Sequence, residues 1–178
     1  MNKRILIFIG LAIAGSIIFA LYTFLGGFKE IIINKQTVSK PQTLAYIPYQ
    51  GYVRHHRLDS LFDLIQQLHT QGKLKGTLGA IYYDVSLEKR KKGDTKALVG
   101  VWISDTLAVL PPGFRLHTIP ARQVIQAKLQ AHFLVSPSPD EVQDKMREYA
   151  KKQGLKVENF IIEKYLSDDS IILEMPIR

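Results

Sequence analysis

The sequence contains no cysteine in its 178 residues. That excludes a disulfide scaffold, a thiol nucleophile and a cysteine-ligated metal, and it leaves the redox compartment open. Other chemistry-bearing patterns are missing too. There is no glycine-rich phosphate loop, no serine nucleophile elbow and no zinc-binding spacing. His55 and His56 are adjacent at a predicted helix start, and His69, His117 and His132 are scattered; chelation from one helix calls for i, i+4 spacing. No metal and no cofactor is expected.

A local absence of charge is equally informative. Ile5 to Phe28 carries no charged side chain and consists mostly of Ile, Leu, Phe, Ala and Gly. About 20 such residues in a helix cross a hydrocarbon core of roughly 30 Å. The alternative is a cleaved secretory signal, with Lys3 and Arg4 as its basic start. Such signals have apolar regions of only about 7–15 residues, and Phe24, Leu25 and Phe28 stand where a small-residue cleavage site belongs. The reading is therefore a single-pass membrane protein, anchored in the lipid bilayer through residues 5–28. Lys3 and Arg4 before the run balance Lys29, Lys35 and Lys40 after it, so the side on which the rest lies is not set.

The formal charge of +8 is spread thinly. Residues 1–40 hold five basic side chains and one acidic, leaving +4 for the remainder. Much of that is Lys89-Arg90-Lys91-Lys92, which reads as a solvated hairpin tip or a contact for anionic lipid headgroups. No recognition motif accompanies the charge, so nucleic acid is not an expected partner.

The sequence divides into an anchor (1–28), a polar connector (29–42) with a brief strand at Ile31-Ile32-Ile33, and a domain (43–178). In the domain, Leu44-Ala45-Tyr46-Ile47 reads as a strand ended by Pro48. Leu58, Leu61, Phe62, Leu64, Ile65 and Leu68 recur at helical spacing, and Gly72 stops the helix. Gly79 to Tyr83 and Leu98 to Ile103 form a hairpin pair. Phe114 to Leu129 is extended, with Pro120 at a bulge or edge. Ser138 then caps a second helix, with Pro139 in its first turn and Asp140 and Glu141 facing the helix dipole. That helix presents Val142, Met146, Tyr149 and Ala150 until Gly154. Phe160 to Tyr165 and Ile171 to Ile177 close the chain as a second pair.

The two halves superimpose. Gln71-Gly72 and Gln153-Gly154 end the helices, and Tyr83 and Tyr165 each follow that glycine by 11 positions. The expected fold is α+β: two strand–helix–strand–strand units packed by pseudo-twofold symmetry, preceded by one transmembrane helix.

Four segments carry a resemblance to a known family. They are Tyr46-Ile47-Pro48-Tyr49-Gln50-Gly51-Tyr52, Gly79-Ala80-Ile81-Tyr82-Tyr83-Asp84, Phe160-Ile161-Ile162-Glu163-Lys164-Tyr165-Leu166 and Glu174-Met175-Pro176-Ile177. In order and spacing, residues 43–178 resemble the GyrI-like small-molecule-binding domain, also found as the effector-binding half of multidrug-responsive regulators. The resemblance implies a duplicated strand–helix–strand–strand fold and a cleft for apolar or cationic compounds. It also implies an acidic residue at the cleft's centre, which by position is Glu163. Two departures stand out. Gln130-Ala131-His132-Phe133 replaces the second glycine–aromatic turn, and a membrane helix stands where a regulator carries its DNA-binding segment.

Alternation on its own places Glu163 on one face with Ile161 and Tyr165. An inward Glu163 needs a partner or a ligand, whereas an outward one would pair with a lysine on a neighbouring strand. Tyr49, Tyr52, Tyr83, Trp102 and Tyr165 are candidate cleft aromatics, since rings around one acid attract a cation; filling the core is the other fate open to them. Tyr82 and Tyr83 point to opposite faces, so one of them at most lines a given cleft. Tyr83 is chosen as the positional twin of Tyr165. The expected function is a membrane-anchored ligand-binding module. The alternatives are a hydrolase of reactive electrophiles, with Glu163 activating water and Tyr83 donating a proton, and a membrane-tethered interaction domain.

Overall fold

The computed structural model describes residues 3–24, 31–52, 56–83, 94–103, 110–129, 137–167 and 170–178. The Lys89–Lys92 tip and the Gln130–Phe133 segment lie outside the described residues. Helix α1 spans Lys3–Phe24. Ile7–Phe24 is long and apolar enough to cross a membrane, and none of it is buried against the rest of the chain. Two of its hydroxyls suit a lipid setting. Ser16 Oγ donates to the Ala12 carbonyl and Thr23 Oγ1 to the Phe19 carbonyl, both at 2.9 Å, so neither is left unpaired in hydrocarbon.

The remaining elements are β1 (Ile32–Val38), β2 (Gln42–Tyr52), α2 (His56–Thr70), β3 (Thr77–Tyr83), β4 (Asp94–Ile103), β5 (Arg115–Ile119), β6 (Arg122–Leu129), α3 (Pro139–Lys152), β7 (Phe160–Tyr165) and β8 (Ile171–Pro176). Local signals set their ends. Ser138 caps α3 by accepting from the Glu141 amide at 3.2 Å, which satisfies one otherwise orphaned donor. Gly72 and Gly154 follow the two helices at φ of +71° and +64°, a left-handed conformation that costs glycine nothing. The connector differs from expectation, because β1 is a full edge strand reaching Val38. Strand β2 likewise continues through Pro48. It pairs with β5 only over Gln42–Tyr46, so Pro48 lies where that side of β2 is an edge and a missing donor is tolerated.

All eight strands form one antiparallel sheet in the order β1-β6-β8-β7-β3-β4-β2-β5. The order reads symmetrically about the β7–β3 junction: β6-α3-β7-β8 matches β2-α2-β3-β4, and each unit carries one extra edge strand. Both helices pack on the same face of the sheet. Leu58 and Ile65 of α2 join Ala45, Ala80, Val99 and Val101 in one core. Val142, Met146 and Ala150 of α3 join Ile125, Ala127, Ile161 and Leu173 in another. Tyr82 packs against both.

The opposite face is buried by curling. Gln42 of β2 and Arg122 of β6 lie second from either edge of the sheet, yet Arg122 Nη2 donates to Gln42 Oε1 at 2.8 Å. Inside the curl sit Leu44, Ile81, Trp102, Ile119 and Ile162, together with a charged cluster. Glu174, 2% exposed, pairs with Lys164 at 2.6 Å and Arg122 at 3.2 Å. The Lys164 ammonium also lies 5.5 Å from the Trp102 ring centroid, a cation–π distance.

Candidate functional site

Strand β7 presents Ile161, Glu163 and Tyr165 to the helix face, while Ile162 and Lys164 go into the curl. Glu163 sits opposite Ala80 on β3 and Leu173 on β8, so its neighbours across the ladder offer no polar partner. Tyr165, two residues along, supplies one: its hydroxyl donates to Glu163 Oε2 at 2.7 Å. Tyr82 on β3 lies on the same face and is electrostatically coupled to both. Tyr165 and Glu163 thus form a hydrogen-bonded pair on the helix-facing side of the sheet, with Tyr82 beside it.

Among the described residues, no cationic side chain pairs with Glu163. Burial therefore pushes its carboxyl above the usual carboxylate range, and the Tyr165 hydroxyl partly counters that. The same burial, with the Glu163 charge beside them, holds both Tyr82 and Tyr165 far above the ordinary phenol value, so both remain neutral hydrogen-bond donors.

Helix α2 supplies the wall. Phe62 stands edge-on to the Tyr165 ring, with centroids 5.8 Å apart and planes at 87°, a favoured aromatic geometry. From Tyr165 an open groove of about 820 Å³ runs between the C-terminal half of α2 and the strand ends, lined by Phe62, His69, Thr77, Leu78, Tyr165 and Leu166 among others. His69 Nε2 lies 2.9 Å from the Gly76 carbonyl, which ties the helix end to this rim.

The structure brings together only some of the residues singled out from sequence. Glu163 and Tyr165 are in contact. Tyr49 shares their face, but on β2, three strand spacings or about 14 Å away, and its hydroxyl donates to the Tyr52 carbonyl at 2.7 Å. Tyr52 ends β2 and is 64% exposed. Tyr83 and Trp102 lie on the other side of the sheet. Tyr83 rests on Phe160, ring centroids 5.7 Å apart. Trp102 is buried in the curl, where its Nε1 donates to the Glu163 backbone carbonyl at 3.3 Å, and a Cβ on Gly79 would meet that ring nitrogen at 2.5 Å. Tyr83 therefore cannot serve as a proton donor beside the Glu163 carboxylate. The twin count fails by one residue, and a one-residue slip in a strand flips every side chain to the other face. Tyr82, not Tyr83, is the tyrosine of β3 on the face of Glu163 and Tyr165; its signal is the alternation that links Ala80 and Tyr82 across the ladder to Glu163 and Ile161. Among the described residues, no group of three His, Asp or Glu could hold a metal ion.

By sequence, no family model and no curated protein matches the chain. Solved structures do share its fold. The C-terminal domain of EcmrR superimposes with a TM-score of 0.62 at 10% identity, covering 83% of this chain and 98% of that one. A hydrolase from Listeria innocua gives 0.54 at 11% identity over 82% and 91% of the two chains. An integron cassette protein from the mobile metagenome of Vibrio cholerae gives 0.54 at 11% over 82% and 95%. The fold is thus the duplicated plan that the sequence motifs implied. Identities this low speak to fold alone, since one fold carries many activities.

Proposed function

We propose that the protein is a membrane-anchored binding module that holds a small apolar cation over the sheet between α2 and α3, with Glu163 as its counter-charge. One observation carries the reading: a carboxylate partly withdrawn from water, held by a tyrosine hydroxyl and paired with no cation among the described residues. A buried charge without a partner is costly, and a cationic ligand would remove that cost on binding. Phe62, Tyr82 and Tyr165 place rings beside it, and a ring whose face meets the cation adds ~0.5–2 kcal/mol. Tyr49 and Tyr52 would contribute only to a ligand large enough to reach β2.

The test is equilibrium binding by the full chain in detergent micelles, using an aryl phosphonium cation and a neutral compound of matching shape. Replacing Glu163 by Gln is expected to weaken the cation at least tenfold, about 1.4 kcal/mol, and to leave the neutral compound unchanged. Equal cation affinity for both proteins rules out the counter-charge. Each bound compound is also recovered and checked for cleavage; product that depends on Glu163 and Tyr165 would point to a hydrolase instead, with Tyr165 in the part first given to Tyr83.

A further inference from the structure

The register of the sheet shows where the groove opens relative to the anchor. Strand β1 begins at Ile32, opposite Lys128 of β6. The next rung runs from Leu129 to Ile171 and on to Tyr165 and Leu78. The groove lined by Thr77, Leu78, Tyr165, Leu166 and Ser167 is therefore at the end of the sheet where β1 starts. From β1 to β7 is three strand spacings, about 14 Å. From Phe24 at the end of α1 to Ile32 is eight residues, a reach of at most about 28 Å. With α1 in a bilayer, the end of the sheet that the tether holds within about 28 Å of the helix end is the end at which the groove opens.

Two features of the groove suit that position. Phe62, Leu78, Tyr165 and Leu166 give it an apolar side, against a polar rim of Gln66, His69, Thr77 and Ser167. Beside it, the turn between α2 and β3 exposes Lys73 and Lys75 on either side of buried Leu74, placing positive charge where anionic lipid phosphates would lie.

We infer that the site is loaded from the membrane, and that its ligand is a bilayer-resident amphiphile with a cationic head and an apolar tail. The head enters toward Glu163, and the tail lies along the groove toward the lipid from which it came. This rests on Glu163 acting as the counter-charge. It adds the source of the ligand and the need for a tail.

The experiment uses the full chain in phosphatidylcholine vesicles, preloaded with a fluorescent aryl cation whose release is followed in time. Two competitors are compared: hexadecyltrimethylammonium, which resides in the bilayer, and phenyltrimethylammonium, which stays in water. A second protein carries a flexible Gly/Ser spacer of roughly 30 residues between Phe28 and Lys29. Expected is release by the long-chain amphiphile that is roughly tenfold slower in the spacer protein, because the tether's effective concentration falls, with phenyltrimethylammonium unaffected by the spacer. Loading from the membrane is overturned if the spacer leaves the long-chain rate unchanged, or if the long chain competes no better than the phenyl cation. A different failure identifies the premise: if the dye does not bind, or binds the Glu163→Gln protein equally, the counter-charge reading falls and this inference with it.

Discussion

Two glutamates on neighbouring strands of one sheet have opposite surroundings. Glu174 of β8 faces into the curl and meets both Lys164 and Arg122. Glu163 of β7 faces the helices and meets a tyrosine hydroxyl. The first is an anion compensated by two cations. The second lacks its positive half among the described residues. Burial of a carboxylate does not by itself point to a ligand; burial without a cationic partner is the feature on which the proposed counter-charge rests.

The sharpest way to break this contrast is at Glu174. Glu174→Gln leaves Lys164 and Arg122 buried without their anion and is expected to cost about 3–5 kcal/mol of stability, read by urea unfolding in micelles. Glu163→Gln should behave in the opposite way, keeping or raising stability while cation affinity drops. If both variants lose stability alike, the two glutamates are equivalent and the contrast fails.

The next test is pH. Folding raises the Glu163 carboxyl, so the folded chain holds its proton at pH values where the unfolded chain, near the ordinary value of about 4.3, has released it. Stability from this group is therefore greatest at low pH and falls as pH climbs to the raised value. The Glu163→Gln protein should lack that fall, so its advantage over wild type is present at pH 7 and vanishes at about the ordinary carboxyl value. Cation binding should run the other way, weakening as acid protonates Glu163. A binding curve flat from neutral to acid pH would contradict the assignment.

A smaller effect is expected at Tyr165. Tyr165→Phe removes the hydroxyl that stabilises the carboxylate, worth about 1.5–3 kcal/mol for a hydrogen bond to a charged group, and should move the pH midpoint of cation binding upward. The smallest is expected at Tyr83: Tyr83→Phe should leave binding unchanged, whereas Tyr82→Phe should weaken it by a few-fold. Equal effects at Tyr82 and Tyr83 would show that the face assignment does not govern the ligand.

Much of the fold was legible because its signals are local. The apolar spacing of α2, the Ser138 cap and the glycines at 72 and 154 each act within one turn of chain, and the structure has them all. Strand β1 was only partly legible. Asn34, Lys35, Gln36 and Thr37 are polar, and what holds them in the sheet is a ladder to β6, nearly a hundred residues away. At the site, the Glu163–Tyr165 contact could be read from an i, i+2 pair on one strand. Tyr82 could not be chosen over Tyr83 without the pairing of β3 with β7, because sequence spacing fixes a strand's alternation and leaves open which face is inward. The union of Glu174, Lys164 and Arg122 was the least legible, since it depends on the sheet curling until β2 and β6 meet.

Strand β1 also has a mechanical meaning. It is joined to the anchor by a short run of chain and to the sheet by seven ladder pairs, from Ile32–Lys128 to Val38–Arg122. A pull transmitted from a moving membrane would enter along β1 and act lengthwise on that whole ladder, so its hydrogen bonds would have to slide together rather than open one by one. Load would then reach β6 and β8 before it reached β7. An edge strand that looks like a connector thus spreads any load on the tether over seven rungs, so that it is shared by the whole ladder.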